Sequence, residues 1–438
     1  MHLPQRWLPV QVLVVALCFF LNMLDGMDVV ILSYVAPSLS AAWHIPPDKL
    51  GIVFSAGFAG MATGGLVLAP LADIFGRRPL VVVSLIIMAL GMVLSGLGGN
   101  VTQLILSRLI VGVGIGSVVV AMAALTAEYA PPHHRHFAIT LLQAGYPIGA
   151  TLTGFVVAHV IGGYGWQKIL IGAGVVTAAM VPLAVFLLPE SLSFLLVRQS
   201  AGMLSRANKL LVRLRRPVLM AWPPKIGGAE AKAGPQSLFG AGLTRITLLL
   251  WLVFIICSAP LYFIVTWIPK LAVAAGLSVS HAIYAGAVYS IGGALGTALL
   301  GWIASWLDLR RLILIFFALA TIVMVLFGVK GFPLPMMLFL AFLIGFFVMG
   351  GFGGLYPLAA AIYPSPIRAT GIGWAAGMSR LGAVVGPALG GYLLADKLLL
   401  WQIFLIFAIP LAAGGACVQL IGIPMSVAKP SSAISAET

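Results

Sequence analysis

Charge is what this chain has least of. Asp, Glu, Lys and Arg together make up 8% of its 438 residues, where a soluble domain carries about 25%. Acid is scarcer than base, with 10 Asp and Glu against 24 Lys and Arg. Cysteine is nearly absent. Cys18, Cys257 and Cys417 each lie in an apolar run, with no CxxC pair and no histidine beside them. That excludes a disulfide framework and a metal site, and leaves three small buried hydrophobes. No constellation of nucleophile, metal ligands or cofactor-binding glycines appears, so neither an enzyme nor a cofactor is expected. Glycine and proline are plentiful, at 51 and 27 residues. They fall inside apolar runs, where membrane helices tolerate them, so they are no sign of disorder.

What is there is apolar sequence. Hydrophobic residues make up 61% of the chain and the mean hydropathy is +1.13. About 20 residues cross a bilayer core as a helix. On that length the chain reads as an all-α membrane protein with twelve spans, near 10–33, 51–71, 80–98, 101–124, 137–159, 167–188, 243–268, 281–304, 311–329, 335–361, 370–394 and 399–423. The first is too long for a signal peptide, holds two aspartates and is followed by more spans, so it is expected to be retained. Residues 189–242 are rich in Lys and Arg and contain Pro217, Pro223, Pro224, Gly227 and Gly228. They read as a cytoplasmic basic linker between two six-helix bundles, 1–188 and 243–438. Ser200 to Arg216 suits a basic amphipathic helix on the membrane face.

The basic residues orient the spans. With both ends on one side, seventeen Lys and Arg fall on that side, including Arg77, Arg78, Arg135, Arg310, Arg311 and Arg368, and five on the other: Lys49, Lys168, Lys270, Lys330 and Lys397. The positive-inside rule makes the richer side cytoplasmic, with both termini inside a cell membrane. The net charge of +14 is thereby explained without nucleic acid, since the bases are spread over many short loops. An internal repeat follows by subtraction. Arg77, Arg78 and Arg135 each have an arginine 233 positions on, at Arg310, Arg311 and Arg368, and Gly112 and Gly149 map in the same way onto Gly345 and Gly382. Two six-helix halves related in parallel are the pattern of major facilitator carriers.

Four ionisable residues lie well inside expected spans: Asp25, Asp28, Arg108 and Arg380. Each costs about 2.5–3.5 kcal/mol at a helix centre, on the order of 10 kcal/mol together, which rivals the stability of a whole fold. Asp25 and Asp28 are three residues apart and share a helix face. Arg108 falls at nearly their depth, and Arg380 near the midplane. None obeys the repeat: adding 233 to the first three gives Ser258, Leu261 and Ala341, and subtracting it from Arg380 gives Pro147. A structural ion pair is the plain reading of Arg108, which has acids at its depth. Arg380 has none in its half, and its fork-shaped guanidinium suits a substrate carboxylate. A carboxyl in a low-dielectric cavity favours its protonated form, which lets it carry a proton. Flat partners for a ring are available by position in Tyr146, Trp267 and Tyr356, and in Trp251, Tyr262, Tyr289 and Trp374, although most membrane Trp and Tyr serve interface belts.

These residues also carry a resemblance. Ala69-Pro70-Leu71-Ala72-Asp73-Ile74-Phe75-Gly76-Arg77-Arg78 resembles the loop 2–3 signature of the major facilitator superfamily, G-x-L-a-D-x-x-G-R-R, with Ala69 in place of the leading glycine. Arg108 followed by Gly112, Gly114 and Gly116 looks like its span 4 signature. Asp25-Gly26-Met27-Asp28 is similar to the D-G-x-D of the aromatic acid:proton symporter family, whose members carry 4-hydroxybenzoate, benzoate and muconate. Arg368 to Gly391 in span 11 resembles the same family, and Leu188-Pro189-Glu190-Ser191 resembles a segment of sugar porters. The resemblance implies that Asp25, Asp28, Arg108 and Arg380 line the transport path, with proton coupling expected at Asp25 and Asp28 and substrate binding at Arg380, Arg108 and Asp25, to which position adds Tyr356, Trp267 and Tyr146. It implies an inner gate of Asp73, Gly76, Arg77 and Arg78, with Glu128 near Arg135, and with Arg368. In the second half the signature aspartate is Ser305, so a symmetric gate there would need Asp308 instead. Gly112, Gly114 and Gly116 are expected to serve packing.

The reading is symport of a small organic acid, most simply an aromatic carboxylate, with protons, by a monomer in the lipid bilayer that uses the proton gradient and no cofactor. Two alternatives stay open. A drug/proton exporter would carry G-P-x-x-G-G in span 5, where this chain has only Gly145-Tyr146-Pro147-Ile148-Gly149; its full match, Gly386 to Gly391, is in span 11. A symporter of sugar-derived or dicarboxylic acids would share the same charges.

Overall fold

The computed structural model describes residues 7–199, 202–222, 235–240, 243–329, 331–364 and 367–421. Among them the chain is helical throughout, with no β-strand. It divides into two compact units, one of Met1–Gly227 with Thr266–Ala287, the other of Gly228–Val265 with Val288–Thr438.

The first six expected spans become six α-helices, one of them a single turn. They are α1 (Pro9–Trp43), α2 (Pro47–Thr63), a short α3 (Ala72–Phe75), α4 (Arg77–Leu97), α5 (Val101–Tyr129) and α6 (Arg135–Leu187). A π-helical turn, Gly64–Leu68, and a 3₁₀ turn, Ala69–Leu71, carry α2 into α3. At 1.5 Å per residue α6 would be a rod of about 80 Å, far longer than the ~30 Å hydrocarbon core. It breaks at Gly165, where φ is 76° and ψ 166°. A positive φ of this kind suits a residue without Cβ, and the break falls in the gap between expected spans 137–159 and 167–188. Past it the chain packs on a different partner: Gly149, before the break, lies against Met23 of α1, and Gly174, after it, against Ala89 and Val93 of α4.

After α7 (Leu192–Arg198) and α8 (Met203–Arg213), the second series is α9 (Thr244–Ala274), α10 (Val279–Ile303), α11 (Leu309–Phe327), α12 (Leu334–Gly353), α13 (Leu355–Ile362), α14 (Arg368–Ala395) and α15 (Leu400–Gln419). Among the described residues ten helices are long and apolar enough to cross a membrane. The expected count was twelve, and the difference has two sources. The two arms of α6 count as one helix, Phe137–Leu187. α14, where span 11 was expected, has 28 residues but is diluted by seven glycines and two arginines.

The expected amphipathic helix is α8. It carries Arg206, Lys209 and Arg213, and buries Ala207, Leu210 and Leu211. Ala207 and Leu210 pack with Leu195 of α7 and with Trp222, so the apolar side of the helix is covered by the chain itself. Ser200, Pro223, Pro224, Gly227 and Gly228 of the expected linker lie outside the described residues.

The repeat is physical as well as numerical. A Cβ on Gly112 would collide with the Gly57 carbonyl, where α5 crosses α2, and a Cβ on Gly345 would collide with the Tyr289 carbonyl, where α12 crosses α10. Gly149 meets the Met23 carbonyl at the α1–α6 crossing, and Gly382 the Ile255 carbonyl at the α9–α14 crossing. The three glycines that follow Arg108 split their work. Gly112 and Gly116 face α2, and Gly114 faces Ser84 and Met88 of α4. Small residues at these points let backbones approach closely, which is what drives association of helices in lipid.

Gly112→Val and Gly345→Val should each lower the apparent unfolding temperature of the purified protein, at an overpacking cost of about 1–3 kcal/mol. Gly163→Val should lower it much less, because a Cβ there meets nothing within 4 Å. Thermal denaturation in detergent distinguishes the three.

Candidate functional site

The buried acids are positioned by a helix crossing. Asp25, Gly26 and Asp28 lie within about one turn of α1, and a Cβ on Gly26 would run into the Tyr146 carbonyl of α6. Gly145 packs against Phe19 and Asn22, and the Asn22 amide donates to the Leu142 carbonyl at 2.6 Å. The contact holds this stretch of α1 in the interior: Asp25 is 4% exposed and Asp28 0%.

Arg108 of α5, 4% exposed, reaches the same turn. Its Nη2 donates to the backbone carbonyl of Asp28 at 2.7 Å, and its Nη1 lies 3.0 Å from the Met92 sulfur. Arg108 and the acids are thus brought together as their depths implied. The bond, however, is to the main chain and not to the carboxylate. The two carboxylate oxygens of Asp28 and the Nε of Arg108 are buried and make no hydrogen bond among the described residues. Arg108 and Asp25 are the charges that act on Asp28. A cavity of about 20 Å³ adjoins Arg108, walled by Val29, Phe54, Gly57 and Thr266, large enough for about one water.

A second cluster stands in the other unit. Arg380 of α14 donates through Nη1 to the Tyr262 hydroxyl of α9 at 3.3 Å. Tyr356 of α13 lies within electrostatic reach of both and meets Phe254 edge-on at 5.4 Å. Tyr289 of α10 neighbours Tyr262. Where Arg380 arrives, α14 also touches α9 through the Ser258 hydroxyl, which donates to the Ser379 carbonyl at 2.7 Å. Trp251 and Trp374 stack at 5.8 Å.

Of the other expected ring partners, Trp267 is fully buried and meets Phe54 edge-on at 5.4 Å in the first unit. Tyr146 is half-buried at the α1–α6 crossing.

The expected gate residues lie at the start of α4. Gly76 has φ 107°, a conformation that favours glycine, and a Cβ there would strike the carboxylate of Glu190. That carboxylate accepts from the backbone N–H groups of Arg77 at 2.9 Å, Arg78 at 3.2 Å and Ser191 at 2.8 Å. An anion at a helix N-terminus satisfies otherwise unpaired N–H groups and meets the positive end of the dipole. Arg77 pairs with Glu128 at the end of α5, whose carboxylate also accepts from the hydroxyls of Ser191, at 2.7 Å, and Ser193. Arg78 donates to the Val185 carbonyl, and the Tyr129 hydroxyl donates to the Glu190 carbonyl at 2.6 Å. Asp73 is exposed in α3. Arg135 is exposed at the start of α6, and the partner of Glu128 is Arg77. In the second unit Arg368 donates to the Tyr363 carbonyl at 3.2 Å. Asp308 caps α11, accepting from the Arg311 N–H at 3.0 Å. No group of His, Cys, Asp and Glu among the described residues could hold a metal ion.

The model of the Major Facilitator Superfamily matches residues 18–333 and 250–435. The chain belongs to this superfamily. It is a multi-pass membrane protein of a family of transporters, not of enzymes. Its relatives include the gallate transporter of Pseudomonas putida, 31% identical over 94% of this chain and 92% of that one, and the 4-hydroxybenzoate transporter PcaK of Pseudomonas aeruginosa, 30% identical over 95% and 93%. Among solved structures, the inward-facing, occupied bacterial homologue of the human lysosomal transporter Spinster superposes with a TM-score of 0.77, at 16% identity, over 96% of this chain and 98% of that one. That likeness concerns the fold.

For a facilitator chain, the gate signature left one partner unread. Glu190 receives three N–H groups, two of them from α4 across 112–113 residues of sequence and one from the adjacent Ser191, and only the Leu188-Pro189-Glu190-Ser191 segment hinted at it. Glu190→Ala should uncap α4 and lower stability by about 1–2 kcal/mol. Arg135→Ala, at an exposed site, should change it by less than about 0.5 kcal/mol. Thermal unfolding of both variants checks the contrast; equal losses would show that Glu190 does not anchor the network.

Proposed function

We propose that the protein is a proton-coupled symporter that takes up a small aromatic carboxylate by alternating access. The observation that carries this reading is the Asp28 carboxylate: buried, inside a membrane-spanning helix, beside Arg108, and without a hydrogen-bond donor among the described residues. Intramembrane acids of this kind mark proton relays. Asp28, with Asp25 one turn earlier, takes up the proton. Arg108 holds the main chain of that turn and supplies a counter-charge. Arg380, with the Tyr262 hydroxyl as its neighbour, receives the substrate carboxylate, and Tyr356, Tyr146 and Trp267 belong to the ring-binding set. A carboxylate that crosses with one proton is neutral overall, which removes most of the cost of moving it through low dielectric. The aromatic class is supported by the relatives named for gallate and 4-hydroxybenzoate.

The remaining parts follow from the same reading. Asp73, Gly76, Arg77, Arg78, Glu128, Arg135 and Arg368 serve a cytoplasmic gate. Two six-helix halves, 1–188 and 243–438, join through the basic linker 189–242. Both termini are cytoplasmic, the membrane is the inner or plasma membrane, the carrier is a monomer, and the proton gradient is the energy source without a cofactor.

Vesicles containing the purified protein test this with labelled 4-hydroxybenzoate. Accumulation should require an inward proton gradient and collapse with a protonophore; uptake indifferent to the gradient would overturn the coupling. Arg380→Ala should weaken binding about 10- to 100-fold, the worth of a charge-assisted hydrogen bond. Asp28→Asn should keep binding within a few-fold and lose accumulation. Full accumulation by Asp28→Asn would remove that residue from the proton path.

A further inference from the structure

We propose that Tyr289 reads a ring hydroxyl on the substrate, so that the carrier prefers hydroxylated aromatic carboxylates to unsubstituted ones. The inference rests on the reading above that aromatic carboxylates are carried. Its own observation is the Tyr289 hydroxyl. The residue is 2% exposed, and its Oη makes no hydrogen bond among the described residues. Buried tyrosine hydroxyls nearly always find a partner, and one left alone carries a desolvation cost that a ligand can remove.

The position is fixed by a helix crossing. Tyr289 stands where α10 crosses α12, its carbonyl so close to Gly345 that a Cβ there would collide with it. Its hydroxyl lies within electrostatic reach of Tyr262, which accepts the Nη1 hydrogen bond of Arg380, and Tyr356 is near both of these. Two phenols, Tyr262 and Tyr356, thus stand by the guanidinium, and the third, Tyr289, adjoins Tyr262. α9, α10, α12, α13 and α14 carry no Asp or Glu, so these elements supply no carboxylate to satisfy Tyr289 or to repel an anionic substrate. The donor chemistry divides cleanly. A guanidinium only donates and suits the substrate carboxylate, whereas a phenol both donates and accepts and suits a hydroxyl. A site that hydrogen-bonds a substrate hydroxyl discriminates against the analogue lacking it, because the protein group is then left unpaired.

The test is Tyr289→Phe, which removes one oxygen and keeps the ring. Uptake of labelled benzoate, 4-hydroxybenzoate and gallate is measured for both proteins in vesicles, with monodispersity in detergent as the folding control. The wild type should favour a hydroxylated acid over benzoate by about tenfold or more in kcat/KM, and Tyr289→Phe should abolish that preference while leaving benzoate uptake within a few-fold. An unchanged preference in the variant overturns the inference, and so does an equal loss for all three acids, which would make Tyr289 structural. Wild-type uptake of benzoate equal to that of the hydroxylated acids also overturns it but leaves the aromatic reading standing. If the wild type takes up none of the three, the aromatic reading falls and Tyr289 with it.

Discussion

A carboxyl group at bilayer depth stays there only if the backbone around it is held tightly, and here the crossing of α1 on α6 does the holding. Gly26 stands between Asp25 and Asp28 with no room for a Cβ against the Tyr146 carbonyl, and Gly145 and Gly149 close the contact from the other side. In hydrocarbon the helices gain little from hydrophobic burial against one another, so close packing and polar contacts must supply the association. The acids are therefore carried by a closely packed part of α1. The Arg108 bond to the Asp28 carbonyl adds a second clamp on the same turn, and it does so without neutralising the carboxylate. A guanidinium spent on the carboxylate itself would have made a closed ion pair.

The second unit reuses the scaffold and changes the chemistry. Asp25 plus 233 is Ser258, and Tyr146 plus 233 is Ser379; in α9 and α14 those two serines bond to each other, hydroxyl to carbonyl, at 2.7 Å. The place that holds an acid in one crossing thus holds a satisfied neutral contact in the other. Charge appears one residue further on, at Arg380, against the Tyr262 hydroxyl. A repeat that preserves the crossing glycines preserves backbone spacing, which leaves individual side chains free to diverge. That separation of spacing from chemistry lets one fold present an acid in one half and a base in the other.

Much of this was legible from residue type and spacing, because the physics behind those parts is one-dimensional. Apolar runs measure a bilayer, loop arginines count turns, and an offset of 233 finds glycines that prove to sit at equivalent crossings. Asp25, Asp28 and Arg108 were placed together by depth alone. What was not legible depends on direction. Depth cannot say whether Arg108 meets the carboxylate or the carbonyl of Asp28, and it did not separate the Tyr262 contact of Arg380 from the other tyrosines at similar heights. Trp267 was named as a ring partner by position, and position could not show that Phe54 meets it edge-on. Among the described residues the count of long apolar helices fell two short of twelve for the same kind of reason: a single positive φ at Gly165 does the work of a loop, and a glycine-rich, arginine-bearing α14 does not look apolar.

Glu190 and Asp308 show how far a matching sequence can differ in mechanics. Both satisfy the N–H groups of paired arginines at equivalent helix starts, Arg77 and Arg78 on α4, Arg310 and Arg311 on α11. Asp308 does it locally, three residues from the N–H it accepts, and its carboxyl is exposed. Desolvation pushes its pKa up, but the Arg311 N–H and the hydrogen bonds and charge of Arg310 together outweigh it and hold the carboxyl below the usual carboxylate range. Such a cap travels with its helix. Glu190 comes from the α6–α7 link and shares its surroundings with Glu128, Ser191 and Ser193, so α4 is capped only while the ends of α5 and α6 stay where they are. A local cap stabilises a helix whatever its neighbours do. A cap borrowed from another element ties the stability of the helix to a relative position, which is the property a gate requires, and it places the mechanical interest of the Gly76-Arg77-Arg78 signature in the partner that the signature itself does not contain.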